Sequence, residues 1–156
     1  MKIISHSVRE TIQIGRIMAR NLRPGDIICL FGELGSGKTV LVKGIAEGMG
    51  IKKDKVISPT FVLIRQYDQG KFTLYHFDLY RLDYASSILG LGYEEYLYDD
   101  GIAVIEWADR LKYLLPGEFL KIELSIRRDP HRLLEFRAKG ARYKELLRKI
   151  HEDFRH

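Results

Sequence analysis

Apolar and polar positions change period several times along the 156-residue chain, and each change predicts an element. From about Val8 to Leu22 the apolar residues Ile12, Ile14, Ile17, Met18 and Leu22 recur at helical spacing, with Gly15 as a close-packing point. Arg23-Pro24-Gly25 stops that helix. Asp26 to Phe31 is a short apolar run of strand type. After a glycine-rich stretch, helical spacing resumes at Leu41, Val42, Ile45 and Ala46 and ends near Gly48-Met49-Gly50. Val62 to Tyr67 and Phe72 to Leu79 predict a hairpin about Asp68-Gln69-Gly70-Lys71. Asp83 to Asp99 mixes short helical pieces with Gly90 and Gly92 and predicts a surface excursion. Gly101 to Glu106 is continuous, branched and short, the mark of a buried strand. Trp107 to Leu115 predicts a short helix stopped by Pro116-Gly117. Phe119 to Arg127 and Arg132 to Lys139 alternate as two strands, and Ala141 to Phe154 closes the chain as a helix.

Composition narrows this picture. The length suits one core, so residues 1–156 are expected to form a single domain. With Cys29 alone, no disulfide can form within the chain, and Cys29 reads as a small buried apolar residue. The start of the chain lacks a charged segment followed by an apolar one, and no apolar run approaches a membrane span. A soluble, cytoplasmic protein without a membrane role is expected. Net charge is +5, and ten Lys/Arg against five Asp/Glu lie between 127 and 156, which accounts for the whole excess. A basic end segment fits nucleic acid, an acidic protein partner, or simply a solvated amphipathic helix.

The chemistry is carried by Gly32-Glu33-Leu34-Gly35-Ser36-Gly37-Lys38-Thr39, which fits G-x-x-x-x-G-K-[ST] between a strand and a helix. Its glycines let backbone N–H groups close around a phosphate chain at the positive end of the following helix. Lys38 would reach the outer phosphates, and the Thr39 hydroxyl would face Mg²⁺. With the element order, this predicts an α/β fold: a P-loop NTPase-like sheet with parallel core strands, antiparallel additions and flanking helices.

Such a loop needs a carboxylate at the end of a neighbouring strand to share the ion. Glu106 ends the more apolar run and is the better metal-side candidate, with Asp78 placed to orient water or an acceptor near the γ-phosphate. Helix capping, or pairing with Arg81 or Arg110, would explain either carboxylate without catalysis. Thr60, in a Pro-bearing loop, lies where a γ-phosphate-sensing segment would sit, and an ordinary turn explains it equally well. His76 on a strand reads more often as a satisfied structural residue. Trp107 follows Glu106 and would fill the core or form a wall of the site. A small-molecule kinase would use the same loop but needs an acceptor pocket and a basic lid; Arg127, Arg128 and Arg132 read better as a turn. The guanine-reading Asn-Lys-x-Asp signature is absent.

The loop, Ser58-Pro59-Thr60-Phe61, His76-Phe77-Asp78-Leu79-Tyr80-Arg81 and Ile105-Glu106-Trp107-Ala108, taken in this order, resemble the TsaE (YjeE) family. These are bacterial ATPases needed to make threonylcarbamoyladenosine in tRNA. The resemblance runs from about Thr11 to the final helix and includes Leu91-Gly92-Tyr93-Glu94-Glu95-Tyr96. It implies ATP on residues 32–39, Mg²⁺ on Thr39 and Glu106, a switch at Ser58 to Phe61, and Asp78 in the hydrolytic site. It also implies work with a TsaB–TsaD pair, in which TsaD transfers the threonylcarbamoyl group and ATP hydrolysis by TsaE resets the complex. Ser36 stands where alanine is frequent, and Ala85-Ser86-Ser87 replaces a more acidic stretch.

Overall fold

The computed structural model describes residues 1–57, 63–98 and 100–156, the side chain of Lys53 excepted. In chain order these form β1 (Lys2–Ser5), α1 (Val8–Ala19), β2 (Ile27–Phe31), α2 (Lys38–Gly48), β3 (Ile64–Tyr67) and β4 (Leu74–Asp78). They continue with α3 (Tyr93–Leu97), β5 (Ile102–Glu106), β6 (Phe119–Ile126), β7 (Arg132–Lys139) and α4 (Ala141–Asp153). Short 3-10 segments lie at Lys53–Lys55, Ala85–Leu91 and Ala108–Leu114.

The strands make one seven-stranded sheet in the order β1-β7-β6-β2-β5-β4-β3. β6, β2, β5 and β4 run parallel at its centre. β3, β7 and β1 add antiparallel edges. The α/β sheet with parallel core and antiparallel additions is therefore as the sequence predicts. β2, β4 and β5 are buried along almost their whole length, and β2 and β5 read as nearly continuous apolar runs, because both faces of the sheet are covered. Alternation sorts their side chains: Ile28, Leu30 and Val104 pack with α1, α2 and α4. Ile27, Cys29, Phe77 and Ile105 pack under the opposite layer. Burial pushes the Cys29 thiol far above its ordinary pKa, as a structural cysteine requires.

Four expectations change. β1 adds a sheet edge where no element is predicted, through Lys2 opposite Glu135 and Ser5 opposite Arg132. α1 ends at Ala19, although Leu22 beyond it is still buried. The predicted surface excursion is, over its described residues 83–98, not merely on the surface: Ala85, Ile88, Tyr93 and Leu97 are buried and form part of the cover over one sheet face. Trp107 to Leu115 likewise becomes a 3-10 segment over Ala108–Leu114, interrupted at Lys112 (φ 48°, ψ −115°).

α1 starts on Ser7, whose Oγ accepts from the Glu10 N–H (3.1 Å), while the Glu10 carboxylate accepts from the His6 N–H (2.7 Å). The start of β2 is tied to α4. Arg142 donates through Nε and a terminal nitrogen to the two oxygens of Asp26 (2.8 and 2.6 Å), and Tyr143 Oη accepts from the Ile27 N–H (2.8 Å). The hydrogen bond to Asp26 raises the Arg142 pKa, and burial pushes that of Tyr143 up to about 12. These bonds fix the root of the strand that carries the glycine loop.

α1 and α2 touch backbone to backbone. A Cβ on Gly15 would lie 2.6 Å from the Ile45 backbone nitrogen, and one on Gly44 would collide with the Ile12 carbonyl. This contact sets where α2 stands, and with it the loop that precedes it. Gly44→Ala gains helix propensity of about 1 kcal/mol, yet the clash involves backbone that no rotamer change relieves. The expected result in urea unfolding is a net destabilisation of about 1–3 kcal/mol with an unchanged slope.

Candidate nucleotide site

β2 ends at Phe31, and the chain turns through residues 32–37 into α2. Gly37, at φ 101°, is the residue before the first helical turn and contributes no side-chain cap. A side chain there would be strained by the positive φ, and the N–H groups of the first helical turn have no intrahelical partner. The Leu41 N–H makes the first helical bond, to the Gly37 carbonyl (3.0 Å).

Lys38 is buried at the helix start, and its Nζ donates to the carbonyls of Gly32 (2.6 Å) and Glu33 (2.9 Å). It also lies 4.0 Å from the centre of the Trp107 ring. Burial lowers the Lys38 pKa, opposed by the nearby carboxylates of Glu106 and Asp78. Ser36 is buried, with its Oγ 3.4 Å from the same ammonium.

Register explains the facing wall. In the parallel pair β4–β5, Asp78 is opposite Glu106 and His76 is opposite Val104. Side chains two apart share a face, so His76, Asp78 and Glu106 all project to the α2 side. Each is at most 6% exposed. Thr39 Oγ1 donates to Glu106 Oε1 (2.7 Å), and His76 Nε2 is hydrogen-bonded to Glu106 Oε2. Asp78 Oδ1 accepts from the Tyr80 N–H (3.0 Å), so this carboxylate also shapes the turn leaving β4. Glu106 is thus not engaged with Arg110; it is committed to the loop threonine.

Trp107 takes a left-handed conformation (φ 57°) directly after the strand. Such a conformation is costly for an aromatic residue. It sets the ring beside Lys38 and against Tyr80, with ring centres 4.9 Å apart. The result is a cleft of about 440 Å³ lined by residues 34–40, Asp78, Tyr80, Arg81, Glu106 and Trp107. The sequence-selected residues Leu34, Gly35, Ser36, Gly37, Lys38, Thr39, Asp78, Glu106 and Trp107 therefore converge on one cavity. Gly32 and Glu33 touch it through Lys38. Thr60, with the whole Ser58 to Phe61 segment, lies outside the described residues.

Two residues make contacts that the sequence did not assign them. His76, read as a satisfied structural residue, is bonded to a site carboxylate. Arg132, grouped by sequence with a turn, does bond Asp129 (2.9 Å), but its other terminal nitrogen donates to the Gly35 carbonyl (3.2 Å) and so braces the loop from β7. A polar residue inside an apolar strand was the available signal for the first; nothing local marks the second.

The description "Threonylcarbamoyl adenosine biosynthesis protein TsaE" belongs to a family whose pattern matches residues 5–134. The chain belongs to the TsaE family. The Bacillus subtilis tRNA threonylcarbamoyladenosine biosynthesis protein TsaE is 41% identical over 141 residues, covering 90% of this chain and 87% of that protein. The Treponema pallidum protein of the same name is 39% identical over 132 residues, covering 85% and 96% respectively. The crystal structure of Bacillus subtilis YdiB superposes with a TM-score of 0.86 at 36% identity, over 97% of this chain and 94% of that one.

Substitutions on the two sides of the cleft test separate expectations. Lys38→Ala removes the ammonium that would meet phosphates, whereas Glu106→Ala keeps that ammonium and removes the strand-end carboxylate bonded to Thr39. Measured by fluorescence titration and phosphate release, the first is expected to lose ATP binding by at least about tenfold, consistent with loss of a charged hydrogen bond. The second is expected to retain binding and lose hydrolysis by about a hundredfold or more.

Proposed function

We propose that this chain is the Mg²⁺-dependent ATPase subunit of tRNA threonylcarbamoyladenosine synthesis, acting in the cytoplasm with a TsaB–TsaD pair. The observation that carries the reading is the joining of a glycine loop at a helix N-terminus to a strand-end carboxylate through the Thr39–Glu106 hydrogen bond. The biosynthetic role comes from the names of relatives that match most of the chain.

The donor set suits Mg²⁺. A hydroxyl and a buried carboxylate, with Asp78 on the adjacent strand, are hard oxygen ligands. Among the described residues no group of three His, Cys, Asp or Glu side chains forms a cage of its own. That suits an ion completed by phosphate oxygens and water. When bound, Mg²⁺ would offset the charge on the β- and γ-phosphates.

The chain's own residues do the rest. Backbone N–H groups of residues 35–39 bind the phosphate chain at the α2 terminus. Lys38 exchanges its hold on the Gly32 and Glu33 carbonyls for phosphate oxygens. Glu106 keeps the Thr39 hydroxyl aimed at the metal position. Asp78 accepts a hydrogen bond from the water that attacks the γ-phosphate. Thr60 senses the γ-phosphate. Trp107 walls the cleft and excludes solvent. No arginine-rich lid covers the cleft among the described residues that line it, which suits slow turnover until a partner supplies charge.

Direct tRNA binding by the basic C-terminal segment is less well supported, because α4 spends much of its charge internally. Arg142 pairs with Asp26, Arg148 with Glu152, and Lys149 with Glu145. Among the described residues no helix is long and apolar enough to cross a membrane.

Steady-state phosphate release from the purified chain tests the reading. Hydrolysis is expected to be slow alone, to stop in EDTA, and to rise on saturation with the TsaB–TsaD pair. An unchanged rate with saturating partner, or stoichiometric phosphorylation of an added sugar or nucleoside, would overturn it.

A further inference from the structure

We propose that His76 is a positioning residue for this site, its Nε2–H holding the Glu106 carboxylate in the one orientation that presents Oε1 to the Thr39 hydroxyl. The functional consequence rests on the Mg²⁺–nucleotide reading above; the hydrogen bond that carries it does not.

His76 is fully buried in the middle of β4, between Tyr75 and Phe77 in an otherwise apolar run. An imidazole is a poor filler there, since burying its polar nitrogens is costly unless they are bonded. Register places it opposite Val104, so on the shared face its ring meets the side chain two positions further along β5, which is Glu106. The Glu106 carboxylate then has one partner on each oxygen: Thr39 on Oε1 and His76 on Oε2. One bond would leave the carboxylate free to turn about its last torsion. Two bonds to separate oxygens fix its plane.

The other ring nitrogen settles the direction. Nδ1 is buried and has no hydrogen-bond partner among the described residues. A proton there would be a buried donor without an acceptor, while a bare lone pair is the smaller penalty. The proton therefore sits on Nε2 and points at Glu106, which makes the ring a fixed donor with a single target. Partners behind metal-facing groups commonly act in this way, by orienting rather than by touching the ion.

The test uses the full chain with His76→Leu and His76→Gln, the latter keeping an N–H near the Nε2 position. Binding of a fluorescent ATP analogue is measured in EDTA and across a Mg²⁺ titration. For His76→Leu the Mg²⁺ midpoint is expected to rise by about tenfold, within the range known for such partners, with metal-free affinity unchanged. His76→Gln is expected to recover most of that shift. A packing role predicts instead that both variants lose thermal stability without any Mg²⁺-specific change, and that result overturns the proposal. Long-range ¹H–¹⁵N spectra of the wild-type ring give a readout independent of nucleotide. Protonation at Nε2, with a resonance that moves in Glu106→Gln, supports the assignment; protonation at Nδ1 overturns it. If His76→Leu fails to fold, the Gln variant and the spectrum decide. If the wild type binds no nucleotide in Mg²⁺, the proposed function falls, and the ring spectrum alone still decides whether His76 holds Glu106.

Discussion

The carboxylate of Glu106 is the point on which the site depends. It closes the β5 strand, is almost wholly buried, and joins a loop residue, Thr39, to a strand residue, His76. A buried carboxylate is tolerated only where its oxygens are bonded or its charge is balanced. Here both conditions are met by groups from α2 and β4 and by the nearby Lys38 ammonium. The bond to Thr39 therefore registers the phosphate loop against the sheet.

The remainder of the fold serves to hold that junction still. The Asp26–Arg142 pair anchors the root of β2, and the close approach of Gly15 and Gly44 seats α2. Parallel pairing of β4, β2 and β6 around β5 and its neighbours sets the carboxyl ends of the strands level with the loop. The cleft lies at those ends, where α/β sheets generally bind ligands. Trp107 completes it at the expense of a left-handed backbone, and its ring lies against both Lys38 and Tyr80.

Much of this was legible in the sequence, for a physical reason. The loop, β2 and α2 are local in the chain, and their glycines, lysine and apolar runs are dictated by neighbours a few residues away. Asp78 and Glu106 were legible because buried parallel strands read as continuous apolar runs, so a terminal carboxylate stands out. What escaped depends on distant partners. β1 is a four-residue strand defined by its pairing with β7, and Ile4 within it is exposed. The role of the stretch from 83 to 99 as cover for a sheet face follows from where Ile88 and Leu97 land, which no period shorter than the fold reveals. The His76–Glu106 bond needs the register of two strands separated by thirty residues. The reach of Arg132 to Gly35 spans 97 positions.

In the proposed function, Glu106, held between Thr39 and His76, defines where the metal and the phosphates would meet. The most direct test is a crystal structure of the chain with a non-hydrolysable ATP analogue and Mn²⁺, read from the anomalous signal of the ion. A single ion is expected beside the Thr39 hydroxyl, with Glu106 contacting it directly or through one water and still bonded to His76. An ion held by other side chains, with Glu106 turned away from Thr39, would contradict it.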